Sequence, residues 1–98
     1  MKKLITLFAA VILLSSCGNK PEADFTWSPE SPKAGQEVKF TNLSKNALTY
    51  LWHFGDMSTG DSISPTHIYK KAGNYIIDLT ASKGLKSNIK AVKIIVTQ

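Results

Sequence analysis

Tyr50-Leu51-Trp52-His53-Phe54-Gly55-Asp56 is the stretch on which the fold turns. Three aromatic rings fall on every second position, with Leu51 and His53 between them. Side chains of a strand point alternately to two faces, so Tyr50, Trp52 and Phe54 share one face while Leu51 and His53 share the other. Gly55-Asp56 then ends the strand. Glycine accepts backbone angles closed to other residues, and an aspartate carboxylate hydrogen-bonds nearby backbone amides.

The same period of two extends outward on both sides. Phe25 and Trp27 alternate ahead of Ser28-Pro29-Glu30-Ser31-Pro32-Lys33-Ala34-Gly35, a loop rich in proline and glycine. Val38 and Phe40 alternate with Glu37, Lys39 and Thr41. A polar stretch from Gly55 to Ser64, interrupted by Met57 and Ile63, separates the aromatic strand from Pro65-Thr66-His67-Ile68-Tyr69. That segment reads as a short strand with its proline at an edge or at the strand start. Tyr75, Ile77, Leu79 and Ala81 form the next alternation. After the turn Lys83-Gly84-Leu85-Lys86, Val92, Ile94 and Val96 form the last. Six or seven short strands at this spacing predict an all-β, antiparallel β-sandwich. Phe25, Val38, Phe40, Tyr50, Trp52, Phe54, Tyr75, Ile77, Leu79, Val92, Ile94 and Val96 are the residues expected between its sheets.

With those residues quoted, the chain resembles the PKD domain, an immunoglobulin-like module of extracellular proteins. The signature is the run Tyr50 to Asp56, followed in order by Pro65-Thr66-His67-Ile68-Tyr69, Gly73-Asn74-Tyr75 and Leu79-Thr80. Ala23-Asp24-Phe25, Ser28-Pro29 and Val38-Lys39-Phe40-Thr41-Asn42 also match. The resemblance covers roughly residues 22 to 98. It implies that Trp52 is the central tryptophan of the sandwich and that Phe54, Gly55 and Asp56 close its strand. It also implies that His67 makes a structural hydrogen bond, that His67 and Tyr69 share one side of a short strand, and that Gly73 and Tyr75 form a tyrosine corner. Packing at Phe40 and Ile77 then stands where immunoglobulin domains have a disulfide. Two positions depart from the family pattern. His53 replaces an aspartate and Met57 replaces a glycine, and both changes weaken any calcium site carried over from metal-binding members.

The amino-terminal residues read as an address. Met1-Lys2-Lys3 precedes an apolar run from Leu4 to Leu14, then Ser15-Ser16-Cys17, which are the three parts of a secretory signal. The 11-residue run reaches only about 16 Å as a helix, roughly half of a ~30 Å bilayer core, so a membrane span is not expected. Leu14-Ser15-Ser16-Cys17 resembles a bacterial lipobox. The resemblance implies cleavage after residue 16 and a diacylglycerol on Cys17, the chain's single cysteine. Residues 1–16 are then the signal, 17–22 the lipidated cysteine with a short tether, and 23–98 the sandwich. Gly18 is compatible with sorting to the outer membrane of a Gram-negative cell.

Charge and composition exclude more than they assign. The 98 residues carry 12 basic side chains, every one lysine, and seven acidic ones, for a net charge of +5. Lys2 and Lys3 leave with the signal, so ten lysines face seven acids and the charge falls to +3. Without arginine, the residue suited to bidentate recognition of bases and phosphates, no nucleic-acid partner is expected. Lys83, Lys86, Lys90 and Lys93 cluster near the last hairpin and Lys70-Lys71 sit in another turn. Anionic headgroups or acidic glycans are the better match for such a patch on a tethered domain.

No catalytic motif is present, although His53 and His67 with the aspartates allow a Ser/His/Asp set on paper. Asp56, Asp61 and Ser58 or Thr59 offer hard oxygen ligands, but turn capping accounts for the same residues and the EF-hand spacing is absent. Neither a cofactor nor a metal is therefore expected, and neither is an enzyme. Trp27 either caps the open end of the sandwich or, with Tyr50 or Tyr69, offers a stacking platform for a sugar or a protein partner. The expectation is a lipid-anchored protein of the bacterial cell envelope. It displays a non-catalytic module for protein or carbohydrate binding, with no further domain to space after Val96. The alternative is a small accessory subunit of a larger envelope complex, joined to its partner through an edge strand.

Overall fold

The computed structural model describes residues 19–98; the signal segment and Cys17 lie outside the described residues. Seven strands follow one another: β1 (Phe25–Ser28), β2 (Glu37–Asn42), β3 (Thr49–His53), β4 (Thr59–Gly60), β5 (Thr66–Ile68), β6 (Gly73–Lys83) and β7 (Lys86–Val96). They form two antiparallel sheets, a three-stranded one in the order β1-β2-β5 and a four-stranded one in the order β4-β3-β6-β7. This is the expected all-β sandwich of the immunoglobulin type. The polar stretch after Asp56 holds a strand that its composition hides. Thr59 and Gly60 pair with His53 and Trp52, through backbone groups that any sequence carries.

The register explains the core. Trp52 lies opposite Leu79, Tyr75 opposite Ile94 and Ile77 opposite Val92, so the alternating apolar sets of three strands all face inward. Phe25, Val38, Phe40, Trp52, Phe54, Tyr69, Ile77, Leu79, Ala81, Ile94 and Val96 are buried. The aromatic rings interlock across the two sheets. Trp52 meets Phe25 edge-on at 5.0 Å between centroids, lies 5.4 Å from Phe40 and stacks parallel to Phe54 at 6.2 Å. The indole N–H is satisfied by the Ser62 carbonyl at 2.9 Å, which removes the main penalty of burying it.

The core list needs three corrections. Tyr50, Tyr75 and Val92 are half-buried and pack against the rim of the core rather than inside it. Tyr69 and Ala81 take inner places instead. Alternation tells which face a residue belongs to, but how deeply it is covered depends on how far the opposite sheet extends over it.

The two ends of the sandwich are built differently. At one end the chain enters: the Glu22 and Lys45 backbones exchange both hydrogen bonds, and the Ala23 amide donates to Asn88 Oδ1 at 2.7 Å. Pro21 is buried there. The tight turn between β6 and β7 closes the same end, with Lys83 opposite Lys86. The opposite end gathers residues 54–58 and 68–73 and the loop before β2, where Gly35 donates its amide to the Tyr69 carbonyl at 2.8 Å.

Candidate functional site

Phe54, Gly55, Asp56, His67, Tyr69, Gly73 and Tyr75 of the signature meet at the end away from the chain entry. Gly55 turns the chain there with φ of 89°, and a β-carbon on it would come within 2.5 Å of the Ile76 carbonyl oxygen. No other residue fits that approach. The turn delivers the Asp56 carboxylate to three donors: the Ser58 hydroxyl, the Ser58 amide at 3.1 Å and His67 Nε2 at 2.7 Å. The His67 ring lies flat on Phe54, 4.3 Å between centroids, and meets Tyr69 edge-on at 4.7 Å. Buried Tyr69 donates its hydroxyl to the Phe54 carbonyl at 2.7 Å, and Tyr75 donates to the Lys71 carbonyl at 2.7 Å. The latter bond is the tyrosine corner, tying a strand start to the chain four residues upstream.

This network is the reason each signature residue has its type. Burial alone would push the Asp56 carboxyl up, but the Ser58 hydroxyl, His67 and the Ser58 amide together hold it below the usual carboxylate range. Burial, reinforced by the charge of Asp56, pushes the Tyr69 hydroxyl well above its ordinary value, so it stays a protonated donor. Met57 has φ of 74° and is fully exposed. The turn thus does adopt the positive φ that a glycine would take there, and the methionine bears the strain.

The network borders an open pocket of about 410 Å³ lined by Asp56, Ser58, His67, Ile68, Lys70, Lys71 and Tyr75. Ser58, His67 and Asp56 are in contact, yet their arrangement does not activate a nucleophile. Ser58 Oγ lies 3.3 Å from the same Nε2 that donates to Asp56, so that nitrogen has no lone pair left to take the serine proton. The Ser58 amide bond to Asp56 Oδ1 is an Asx-type turn, the capping role that the loop composition allows. Among the described residues, no three His, Cys, Asp or Glu side chains gather as a metal site. His53 is exposed on the outer face, where its Nδ1 lies 3.0 Å from Asp78 across β3 and β6. Composition alone did not reveal that pairing, which follows from the register.

The three candidate platform residues are not brought together. Tyr69 is 1% exposed and cannot offer a face to a ligand, because its carbonyl and hydroxyl are both spent inside the fold. Tyr50 lies on the inner side of β3 opposite Ala81, half-buried at the rim. Trp27, like Tyr50, is half-buried against the core, and it borders a groove of its own. Its ring packs on Phe25 at 6.1 Å, and its indole N–H donates to the Glu30 carbonyl at 3.0 Å, which fixes the ring's edge. Thr26, Trp27, Ser28 and Glu30 line a shallow groove of about 340 Å³. Of the clustered lysines, Lys90 is engaged with Asp24 at 2.7 Å, an exposed pair whose hydrogen bond lowers the Asp24 pKa.

Comparison with known proteins agrees with this geometry. The sequence model of the PKD domain family matches residues 18–96. The chain is 36% identical over 66 residues to collagenase ColA of Bacillus cereus, taking in 60% of this chain and 7% of that protein. It is 32% identical over 62 residues to the pre-pro-metalloprotease PrtV of Vibrio cholerae, covering 63% of this chain and 7% of that one. The chain thus spans 7% of the length of these curated relatives.

Among solved structures, the PKD1 domain of the Vibrio cholerae metalloprotease PrtV superposes with a TM-score of 0.69 at 31% identity, over 81% of this chain and 99% of that one. A chain from work on the promiscuous specificity of carbohydrate-binding modules of the β-sandwich superfamily superposes at 0.75 with 32% identity, over 82% of this chain and 35% of that one. With the two-sheet sandwich, the Asp56–His67 turn and the tyrosine corner in place, the chain belongs to the PKD domain family.

Proposed function

We propose that this chain is a lipid-anchored cell-envelope protein displaying a non-catalytic PKD module that binds carbohydrate or protein. The observation that carries the binding part is the Trp27 groove. The Trp27 ring, its edge fixed by the N–H bond to the Glu30 backbone carbonyl, lines this groove together with Thr26, Ser28 and Glu30, residues that carry hydroxyl and carboxylate groups. A sugar ring presents an apolar face for stacking and hydroxyls for such acceptors, so the set suits it better than an ion or a nucleotide. Similarity to a chain from work on carbohydrate-binding modules supports the same direction. The non-catalytic part is supported by the Asp56–Ser58–His67 cluster, whose hydrogen bonds serve the turn.

Anchoring rests on the Leu14-Ser15-Ser16-Cys17 motif at the end of an apolar leader. Two or three acyl chains would hold the domain stably on a membrane, whereas one holds it only reversibly. The expected results are diacylglyceryl on Cys17 by mass spectrometry of the membrane fraction and retention on a glycan array that Trp27→Ala abolishes. Array binding unchanged in Trp27→Ala would remove the groove from the mechanism. A cleaved chain with unmodified Cys17 would remove the anchor.

The accessory-subunit reading has one observation of its own. β7 is an 11-residue outer strand of its sheet, with Ile89 and Ile95 exposed at 61% and 50%. A partner strand could add to that edge. Pull-down from detergent-solubilised membranes separates the readings, since a stoichiometric protein partner favours the accessory role.

A further inference from the structure

The end of the sandwich at which the chain enters carries features that folding does not require. Leu85, at the tip of the β6–β7 turn, is fully exposed, and Leu48 is 74% exposed. The Leu48 amide donates to the Ser82 carbonyl, which places Leu48 beside the Lys83–Lys86 pair that closes the turn. Lys45 and Lys20 belong to the same end, since the Lys45 backbone bonds to Glu22 and the Lys20 carbonyl accepts from Asn46. Among the described residues, none of Lys20, Lys45, Lys83 and Lys86 makes an ion pair. Of the acids fixed at this end by a contact, Asp24 is held by Lys90, and Glu22 sits opposite Lys45 through backbone bonds. Two leucines in water amid four free lysines match an anionic bilayer surface. Leucine enters the headgroup boundary there, while lysine stems lie along it with their charges outward.

Chain length points to the same occupant. Residues 20–22 are fastened to the loop between β2 and β3, so the free tether is shorter than the five residues between Cys17 and Ala23. Two peptide units separate Cys17 from Asn19, a reach of about 7 Å. A lipid on Cys17 would therefore bring this end, and not the Asp56–His67 end, against the membrane. We infer that the Leu48–Leu85 end with Lys20, Lys45, Lys83 and Lys86 docks on anionic phospholipid headgroups and holds the domain upright, with the Asp56–His67 end outermost. The orientation rests on the anchored reading. The affinity of the surface for lipid does not.

The experiment is sedimentation of residues 18–98 with vesicles. This piece contains the whole core, and its relative from PrtV is a solved domain of the same extent. Sedimentation is expected with phosphatidylglycerol–phosphatidylcholine vesicles and not with phosphatidylcholine alone, weakening as salt rises. Partitioning should fall about fivefold for each lysine neutralised in Lys83→Gln and Lys86→Gln, and about tenfold in Leu85→Ser. Circular dichroism of each variant should match the parent, because none of these side chains is in the core.

Absence of sedimentation with anionic vesicles, or equal sedimentation of the lysine variants, overturns the proposal. So does retention on an acidic polysaccharide matrix without vesicle binding, which would make the lysines a glycan site. Vesicle binding with Cys17 unmodified in the full chain removes the anchor and keeps the surface. A lipidated Cys17 with no vesicle binding does the reverse.

Discussion

The two ends of this sandwich differ in their side-chain networks, although among the described residues each leaves lysines without ion pairs and apolar side chains in water: Lys70, Lys71 and Met57 at one, Lys20, Lys45, Lys83, Lys86, Leu48 and Leu85 at the other. At the Asp56–His67 end every signature side chain has a partner: a carboxylate with three donors, two tyrosine hydroxyls on backbone carbonyls, and a histidine held between two rings. At the chain-entry end two leucines face water and four lysines lack ion-pair partners among the described residues. A satisfied cluster is explained by folding, since an unmet buried polar group is costly. An unsatisfied, exposed cluster contributes nothing to folding, so it is the better place to look for an interaction. The conspicuous motif of this chain thus builds the module, whereas the exposed leucines and lysines of the chain-entry end are the surface proposed for lipid, separate from the Trp27 groove proposed for a sugar or protein.

Substitutions can break that comparison, and the deepest removes both ends at once. Trp52→Ala takes away the ring that joins the two sheets and should cost about 3–5 kcal/mol, enough to unfold a domain of this size. Near-parental thermal unfolding would refute the core.

Glycine to alanine offers a matched pair. Gly55→Ala, with its β-carbon driven into the Ile76 backbone at positive φ, should cost about 2–3 kcal/mol. Gly84→Ala, at φ of 61° with nothing within 4 Å, should cost only about 1 kcal/mol. Equal losses in chemical denaturation would mean that the two turns are equally constrained.

A smaller effect is expected from Tyr69→Phe, which leaves the Phe54 carbonyl without its donor and should cost about 1–2 kcal/mol. Denaturation midpoints measure it. Acid sharpens the contrast further. Asp56 is held below its ordinary pKa of 3.8 in the folded chain, so the unfolded chain binds its proton first. The stability Asp56 contributes is complete above that ordinary value and disappears as pH falls through the lowered folded one. Asp56→Asn should flatten this part of the stability curve; a variant as acid-sensitive as the parent would contradict it. Least of all, Leu85→Ser should leave stability within about 0.5 kcal/mol while weakening vesicle binding.

Much of the fold was legible because alternation is a local property. Tyr50, Trp52 and Phe54 share a face in any strand, and the turn residues after them announce an end. The short strand at Thr59–Gly60 was not legible, because its pairing uses backbone groups with no side-chain signature. Depth was legible only in part. Tyr69 reads as a candidate platform from its type and position, yet the loop before β2 and the Phe54 carbonyl close over it. Trp27 was legible as a large aromatic at a sandwich edge, but the bond that fixes it goes to the Glu30 backbone, which residue type does not foretell.

Sequence by itself determined six of the seven strands, the face each of their side chains takes, the family and the chemistry of the Gly55-Asp56 turn. Period, glycine and aspartate act over a few residues, and that is the range on which sequence speaks directly. Only the tertiary structure decided which distant pieces meet. It set Asp56 on His67 across 11 residues and the Ala23 amide on Asn88 across 65, and so placed the chain entry beside the β6–β7 turn. Such meetings follow from antiparallel register between strands far apart in the chain, and register is settled by the packing of the whole core.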